Sequence, residues 1–293
     1  MTVSGDDTAA DRIFDYDSTA PLDAEDEIAE ERNGVQVHDV SFTDARGGRI
    51  SAYWLTPPGR DRFPAVLYVH PAPGDRSTFF DEGIRLGGLG IASLLVEAPW
   101  ADGEAFARSF GTPEQIRDLF VAIVRDLRRG LDFAIAQPGT DITNLGYVGH
   151  SFGALVGGVL ARIEPRLGAL VLIAGAPSFT DVAVANVPSL SGEALEHFRR
   201  VMAPIDPAGF VAGVRPSPLF IQFGERDEFF SREQSQQLAD AASEPKLVRW
   251  YDTDHYFRSE EAKRDRVEWL SATLGGGYRR MKGKTGRPTM YRR

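Results

Sequence analysis

The sequence LGYVGHSFGALVG, at residues 145–157, places one serine between two glycines directly after an apolar run. Gly149, Ser151 and Gly153 form a G-x-S-x-G pattern, which is common by chance in chains of ordinary composition. Its surroundings are more specific, because the residues before it are typical of a buried strand and those after it of a helix that starts at the serine. The stretch therefore predicts a sharp strand-to-helix turn with the serine at its tip.

A serine at such a turn occupies a strained backbone conformation, and side chains on either side of it would collide with the neighbouring strand and helix. Gly149 and Gly153 relieve that collision, and Gly157 and Gly158 are expected to let the helix pack closely on the sheet. The turn exposes the Ser151 hydroxyl and directs the first N–H groups of the helix toward it, where they would stabilise a negative oxygen. We therefore interpret Ser151 as a nucleophile.

The rest of the chain alternates between strand and helix patterns. Residues 35–43 and 49–55 alternate apolar and polar residues on either side of a Gly-containing turn, which is typical of an antiparallel hairpin. The next two strands, 64–70 and 91–98, are continuous apolar runs. From there strands and helices alternate, which indicates a parallel sheet covered by helices on both faces. The predicted fold class is therefore α/β, with a mostly parallel mixed sheet and an active site at the carboxyl ends of its strands. The later strands are predicted at 64–70, 91–98, 144–149, 168–175, 217–224 and 246–251, and the helices at about 113–135, 151–163, 231–242 and 259–274.

Charge and composition divide the chain into three parts. Residues 1–34 are predicted to be an acidic leader, of which residues 1–32 carry a net charge of −9. Residues 35–275 are predicted to form one domain, in which residues 176–216 lack a strong strand signal and are interpreted as a small helical lid. Residues 276–293 are a basic C-terminal tail, and the last fifteen residues of the chain carry +7. We interpret the tail as a solvated appendage, with contact to an anionic partner as the alternative.

Composition argues against several classes of function. The hydrophobic and charged fractions, 42% and 26%, are those of an ordinary soluble protein. No apolar run is long enough to span a bilayer, and the N-terminus lacks the features of a secretory signal, so we expect a cytoplasmic protein. The acidic body is a poor match for nucleic acid. Cysteine is absent, and no metal-ligand or nucleotide-binding motif appears, so a mechanism without a cofactor is sufficient.

A serine hydroxyl needs a base that takes its proton, and the chain offers five histidines as candidates. His38 lies in the front hairpin, and His197 lies on a predicted lid helix. His70 ends a strand, and His150 is expected to face away from the hydroxyl inside the turn. His255, in the sequence WYDTDHYF, follows the last strand, which places it at the edge of the sheet where the base must be. We therefore predict that His255 is the base.

The imidazole needs a carboxylate that fixes its tautomer and stabilises its charged form. Asp227, in the sequence LFIQFGERDEFF, comes just after the strand predicted at 217–224 and gives the chain order Ser, Asp, His expected on such a sheet. Asp252 and Asp254 are rivals because they are closer to His255 in sequence. Both precede the histidine in one short loop, where folding back onto its ring is awkward, so we favour Asp227.

An oxyanion needs two main-chain donors. The first is expected to be the N–H of Phe152, directly after the nucleophile. The second should come from the loop His-Pro-Ala-Pro-Gly that begins at His70. Because proline has no N–H, only Ala72 and Gly74 can donate within that loop, and we favour Ala72.

The lid and the loop after the fourth predicted strand are expected to shape a substrate pocket. A helix is predicted at 191–202, with Ser191 as its cap. Arg76 and Arg226 are candidates for binding an acidic substrate, although Arg226 can instead pair with a neighbouring glutamate. Each candidate pocket residue can equally be a core residue that packs the lid or rim onto the body. These candidates are Trp100, Phe179, Phe198, Met202 and Phe210.

At these positions the chain resembles the α/β-hydrolase superfamily, and more closely its dienelactone-hydrolase-like and acyl-peptidase-like branch. The resemblance covers about residues 35–275 and depends on GHSFG, on FGERD with Asp227, on DHYF with His255 and on HPAPG at the end of a strand. It implies the fold and the Ser-Asp-His arrangement but indicates little about the substrate. Two departures stand out: HPAP replaces the usual Gly-rich oxyanion loop, and the nucleophile is serine where dienelactone hydrolases use cysteine.

The sequence thus predicts a serine hydrolase that cleaves a small or medium carboxylic ester through an acyl-enzyme. One alternative is an acyltransferase, amidase or peptidase with the same three residues. Another alternative, from a different class, is a non-catalytic binding protein of the same fold. The presence of all three residues argues against the binding protein, because a scaffold has no chemical need for them.

Overall fold

The computed structural model describes residues 11–187, 189–213 and 217–275. Within these ranges the chain forms one twisted sheet of nine strands. These are β1 (Glu25–Arg32), β2 (Val35–Thr43), β3 (Arg49–Thr56), β4 (Phe63–Val69), β5 (Ala92–Val96), β6 (Thr140–His150), β7 (Leu167–Ile173), β8 (Leu219–Gly224) and β9 (Lys246–Tyr251). Their order across the sheet is β1-β2-β3-β5-β4-β6-β7-β8-β9.

The sheet is mixed in the way that its sequence predicts. β1, β2, β3 and β5 pair antiparallel in that order, whereas β5, β4, β6, β7, β8 and β9 pair in parallel. Consequently β6, β8 and β9 all end at one edge of the sheet, at His150, Gly224 and Tyr251. The loops after these three ends carry the candidate site.

Helices cover both faces of the sheet, as predicted. α1 and α9 pack on one face, together with the buried side chains of Tyr68, Val171 and Leu270. α3, α4 and the lid pack on the other face, in a larger core that includes Leu67 and Leu172. The helices are α1 (Phe80–Gly88), α2 (Gly103–Arg108), α3 (Pro113–Ala136), α4 (Phe152–Ile163), α5 (Phe179–Asn186), α6 (Gly192–Met202), α7 (Pro207–Val211), α8 (Arg232–Ala241) and α9 (Glu260–Leu274).

The first strand lies inside the segment that sequence analysis interpreted as an acidic leader. β1 has the sequence EDEIAEER, and all eight of its residues are exposed. Because almost every residue is charged, the alternation of apolar and polar side chains that predicts a strand is missing. β1 is instead held to the sheet edge by its main-chain pairing with β2, and its charges are typical of an edge strand that must not pair with another chain.

The residues before β1 also pack on the domain. Phe14 is buried and meets Phe210 of α7 edge to face, with ring centroids 5.6 Å apart. Arg125 and Arg128 of α3 donate hydrogen bonds to the carbonyl oxygens of Ile13 and Phe14. This N-terminal segment therefore connects α3 to the lid. The predicted basic tail, 276–293, lies outside the described residues.

The lid region predicted at 176–216 is helical, with α5, α6 and α7 in its described part. The helix expected at 191–202 is α6, which begins one residue later, after Ser191. The expectation that Gly158 lets the helix pack closely on the sheet was wrong. A Cβ on Gly158 would lie 2.8 Å from Cβ of Pro207 in α7, so this glycine allows close packing against the lid. Gly157 does face the sheet, since a Cβ there would lie 2.3 Å from the Tyr147 ring.

Within the described ranges, none of the helices combines the length and the apolar character needed to cross a bilayer.

Candidate active site

Ser151 lies at the tip of the turn between β6 and α4. Its backbone dihedrals, φ 54° and ψ −114°, are in a region that L residues rarely adopt. The flanking glycines leave no room for side chains, because a Cβ on Gly149 would lie 2.2 Å from the Gly153 carbonyl oxygen. A Cβ on Gly153 would lie 2.4 Å from the carbonyl oxygen of Val69 in β4. The two glycines are therefore required by close main-chain approach.

A continuous chain of hydrogen bonds joins the three predicted residues. His255 Nε2 lies 3.0 Å from Ser151 Oγ, and His255 Nδ1 lies 2.8 Å from Asp227 Oδ2. Because a carboxylate only accepts, Nδ1 carries the proton and Nε2 is left to accept from the serine hydroxyl. Ser151 and His255 are buried, and the Asp227 side chain is only 4% exposed. Low exposure strengthens each of these electrostatic contacts.

Asp227 is held as a carboxylate. Its Oδ1 accepts the main-chain N–H groups of Phe229 and Phe230, at 2.9 and 3.0 Å. Burial alone would raise the pKa of Asp227, but the hydrogen bond and charge of His255, together with these two N–H groups, bring the pKa below its usual value. The rival carboxylates face elsewhere: Asp252 pairs with Arg226, and Asp254 Oδ2 lies 3.9 Å from Arg258.

Both main-chain groups of His255 are also held by side chains. His150 Nε2 lies 2.7 Å from the His255 carbonyl oxygen and must donate to it. The N–H of His255 donates to Glu228 Oε2 at 3.1 Å. Burial lowers the pKa of His150 to about 3, so His150 stays neutral and keeps its donor at any ordinary pH. His255 is therefore held through its main chain as well as through its ring.

The loop that carries Ala72 is fixed by His70. Nδ1 of His70 donates to the Pro71 carbonyl oxygen at 2.8 Å, and Nε2 accepts the Ala98 N–H at 3.0 Å. Burial lowers the pKa of His70, which favours this neutral form. Among the described residues, neither the Ala72 N–H nor the Phe152 N–H has an acceptor.

The candidate pocket residues are all buried. Trp100 lies in the core and donates its indole N–H to the His70 carbonyl oxygen at 3.0 Å, so it supports the loop that carries Ala72. Its ring contacts Phe152, which also packs on Phe120. Phe179 contacts Phe120 at a centroid distance of 4.3 Å. Phe198, Met202 and Phe210 belong to the same core cluster. These side chains have the burial of packing residues.

Both arginines that were candidates for binding an acidic substrate already have ion-pair partners. Arg76 makes a two-pronged ion pair with Asp39, at 2.7 and 2.9 Å. Arg226 pairs with Asp252 and not with the neighbouring glutamates that the sequence suggested. Within the described ranges no cluster of His, Asp or Glu side chains has an arrangement that could hold a metal ion.

The residues that support this site were not predicted from the sequence. His150 was placed correctly, facing away from the hydroxyl, but its partner was not foreseen. Glu228 was considered only as a partner for Arg226, and His70 only as a strand end. A weak signal existed for Glu228, since it directly follows Asp227, but a hydrogen bond from a side chain to a distant main chain leaves no periodic pattern in the sequence.

No protein-family model matches the chain. Two curated proteins of Mycobacterium tuberculosis, from two strains and both described as uncharacterized, are 27% identical to it over 210 residues. The aligned part covers 71% of this chain and 68% of each relative. These relatives therefore carry no argument about the reaction.

Solved structures give a clearer result. The acetyl xylan esterase from Paenibacillus sp. R4 has a TM-score of 0.75 at 16% identity, over 91% of this chain and 93% of that chain. Acetyl xylan esterase 1 from Thermoanaerobacterium sp. JW/SL YS485 gives the same values. Est1E from Butyrivibrio proteoclasticus has a TM-score of 0.64 at 16% identity, over 83% of this chain and all of that chain, 100%. Identities this low establish the fold alone, and the predicted resemblance is confirmed at that level: the chain has the α/β-hydrolase fold.

Proposed function

We propose that this protein is a serine hydrolase that cleaves a carboxylic ester through an acyl-enzyme, with Ser151, His255 and Asp227 as its catalytic residues. The observation that carries the proposal is the chain of hydrogen bonds from Asp227 through His255 to Ser151, at 2.8 and 3.0 Å. A buried, strained serine in contact with a neutral imidazole has no evident structural purpose. It is the arrangement needed to deprotonate an alcohol at neutral pH.

In the first half of the reaction, Ser151 Oγ attacks the ester carbonyl carbon while His255 Nε2 takes the hydroxyl proton. The carbonyl oxygen becomes an oxyanion and accepts hydrogen bonds from the N–H groups of Phe152 and Ala72. The C–O bond to the alcohol then breaks, and the leaving oxygen takes the proton from His255. Asp227 stabilises the imidazolium that exists between these two proton transfers.

In the second half, a water molecule attacks the acyl-enzyme carbonyl and gives one proton to His255. A second oxyanion forms on the same N–H groups and collapses, which breaks the bond to Ser151 Oγ and releases the carboxylic acid. The serine oxygen recovers its proton from His255. The cycle consumes one water and needs no cofactor, and it ends with the enzyme in its starting protonation state.

Burial of the candidate pocket residues favours a short acyl group. The rings of Trp100, Phe106 and Phe120 pack on Phe152, the residue after the nucleophile. Phe179 extends this core cluster through its contact with Phe120. A long acyl chain would have to separate these rings. Two structural neighbours are acetyl xylan esterases, which is consistent with this expectation.

The test compares p-nitrophenyl esters from acetate to dodecanoate with the wild-type protein and with Ser151→Ala. We expect turnover that is highest for the shortest esters and that falls by about 10³-fold or more in Ser151→Ala. His38→Gln is a matched control, because His38 lies on β2 and pairs with Asp26 at the front of the sheet. Equal turnover by wild-type and Ser151→Ala would refute the assignment.

A further inference from the structure

Two exposed aromatic rings lie against the imidazole of His255. The Phe229 ring is 4.7 Å from the His255 ring, centroid to centroid, and Phe229 is 37% exposed. The Tyr256 ring is 6.3 Å from the same imidazole and is 39% exposed. The two rings also meet each other edge to face, at 6.4 Å. Single exposed aromatic residues are common, but two that touch a buried imidazole form a specific apolar surface.

The reaction itself determines what occupies this surface. His255 Nε2 must give its proton to the leaving oxygen, so that oxygen comes within about 3 Å of the imidazole. The carbon skeleton attached to it must then extend along the imidazole surface toward solvent. Because the acyl side is bounded by the buried rings around Phe152, the leaving group lies on the side of Phe229 and Tyr256.

The polar groups around the rings already have partners. Glu228 accepts the His255 N–H, and Arg226 pairs with Asp252. Arg258 lies over the Tyr256 ring, 5.2 Å from its centroid. A leaving group with many hydroxyls would have to compete with these contacts, whereas a flat apolar group would cover the two exposed rings.

We propose that Phe229 and Tyr256 form the leaving-group subsite and that this subsite takes an aromatic alcohol. The inference rests on the proposed ester hydrolysis and adds the chemical class of the alcohol. Each aromatic contact with an exposed ring increases the binding affinity of the leaving group by about three- to tenfold.

The experiment uses acetate esters of alcohols with similar acidity, so that intrinsic reactivity is matched. We compare benzyl acetate, methoxyethyl acetate and an acetylated monosaccharide, which is blocked as its methyl glycoside so that it has no activated anomeric acetate, with the wild-type protein, with Phe229→Ala and with Tyr256→Ala. The expected result is a wild-type preference for benzyl over methoxyethyl acetate of about tenfold in kcat/KM, which falls three- to tenfold in each variant. Ile28→Ala is the control, because Ile28 is an exposed apolar residue on β1 at the far edge of the sheet. The preference of this variant for benzyl over methoxyethyl acetate should equal that of the wild-type protein.

A preference that is unchanged in both variants, or a wild-type preference for the acetylated monosaccharide, would overturn the aromatic subsite while leaving the hydrolase intact. Failure of the wild-type protein to cleave any ester would instead count against the proposed function. Binding of benzyl alcohol to Ser151→Ala, measured by ligand-observed NMR, tests the subsite without turnover. Binding that weakens when Phe229→Ala is added supports the subsite, and absence of binding overturns it.

Discussion

His150 donates its Nε2–H to the main-chain carbonyl oxygen of His255, at 2.7 Å, although the two residues are 105 positions apart in the chain. The contact links the residue before Ser151 to the main chain of His255. It thus connects the turn after β6 with the loop after β9. Movement of the loop after β9 would break this buried hydrogen bond, so the contact keeps His255 Nε2 within reach of Ser151 Oγ.

Replacing His150 should reduce kcat more than it changes KM. We expect His150→Phe to lower kcat by about 10- to 100-fold, because a displaced base aligns poorly with the serine. His150→Gln should recover much of that loss, since its amide N–H can donate to the same carbonyl oxygen. His197→Phe is the control, because His197 is an exposed lid residue. A His150→Phe enzyme with wild-type kcat would show that the contact does not position the base.

His150 should also make the folded state sensitive to acid. The pKa of His150 is about 3 in the folded protein and about 6.5 in an unfolded chain. As pH falls from about 6.5 toward 3, the unfolded state takes up a proton that the folded state does not, so stability is lost over that range. Between about pH 7 and pH 5 the expected loss in the free energy of unfolding is about 2 kcal/mol.

Urea unfolding of the wild-type protein and of His150→Phe at these two pH values measures this loss. The variant lacks the titrating group, so its free energy of unfolding should fall by about 2 kcal/mol less than that of the wild type over the same range. Parallel pH dependences in the two proteins would mean that His150 is not held neutral by burial.

Gly153→Ala should destabilise the protein, because the new Cβ would lie 2.4 Å from the Val69 carbonyl oxygen, which is main chain and cannot move freely. We expect a loss of about 3 kcal/mol in the free energy of unfolding, or a failure to accumulate folded protein. Gly103→Ala in α2 is the matched control, since a Cβ there has no described atom within 4 Å. A Gly153→Ala protein as stable as this control would contradict the close approach of β4 to the turn.

Phe14→Ala should destabilise the protein by about 3–5 kcal/mol, because it removes a fully buried ring and leaves Phe210 without its edge-to-face partner. The comparison is Phe110→Ala, which truncates a ring that is 43% exposed and should cost less than about 1 kcal/mol. Thermal and urea unfolding measure both changes. Equal stability of the two variants would show that the segment before β1 is not docked on α3 and the lid.

The sequence predicted most of the sheet and the three residues that meet at its edge. Continuous apolar runs identify buried strands whatever their neighbours are, because such runs are costly to leave in water. Ser151 and Asp227 each follow such a run, whereas His255 follows the half-buried strand β9. Because parallel strands end at one edge, the meeting of the three residues follows from local patterns together with a topological rule.

The missed features depend on contacts between distant segments. β1 carries almost no apolar residues and is placed by main-chain pairing with β2. The candidate pocket rings, such as Phe179, are buried in the core cluster. The sequence left pocket lining and core packing open for them, because apolar residue types are the same in a pocket wall and in a core. Only the packing of the lid distinguishes the two.

Local patterns in the chain therefore determined every strand except β1, the five longest helices and the identity of the three candidate catalytic residues, since periodicity and strand ends are properties of short segments. The tertiary structure alone decided what holds these residues in place: the contact of His150 with the His255 main chain, the hold of His70 on the Ala72 loop, and the close approach of Gly158 to the lid. The physical reason is that each of these contacts joins segments whose proximity arises only when the whole sheet and its covering helices have formed.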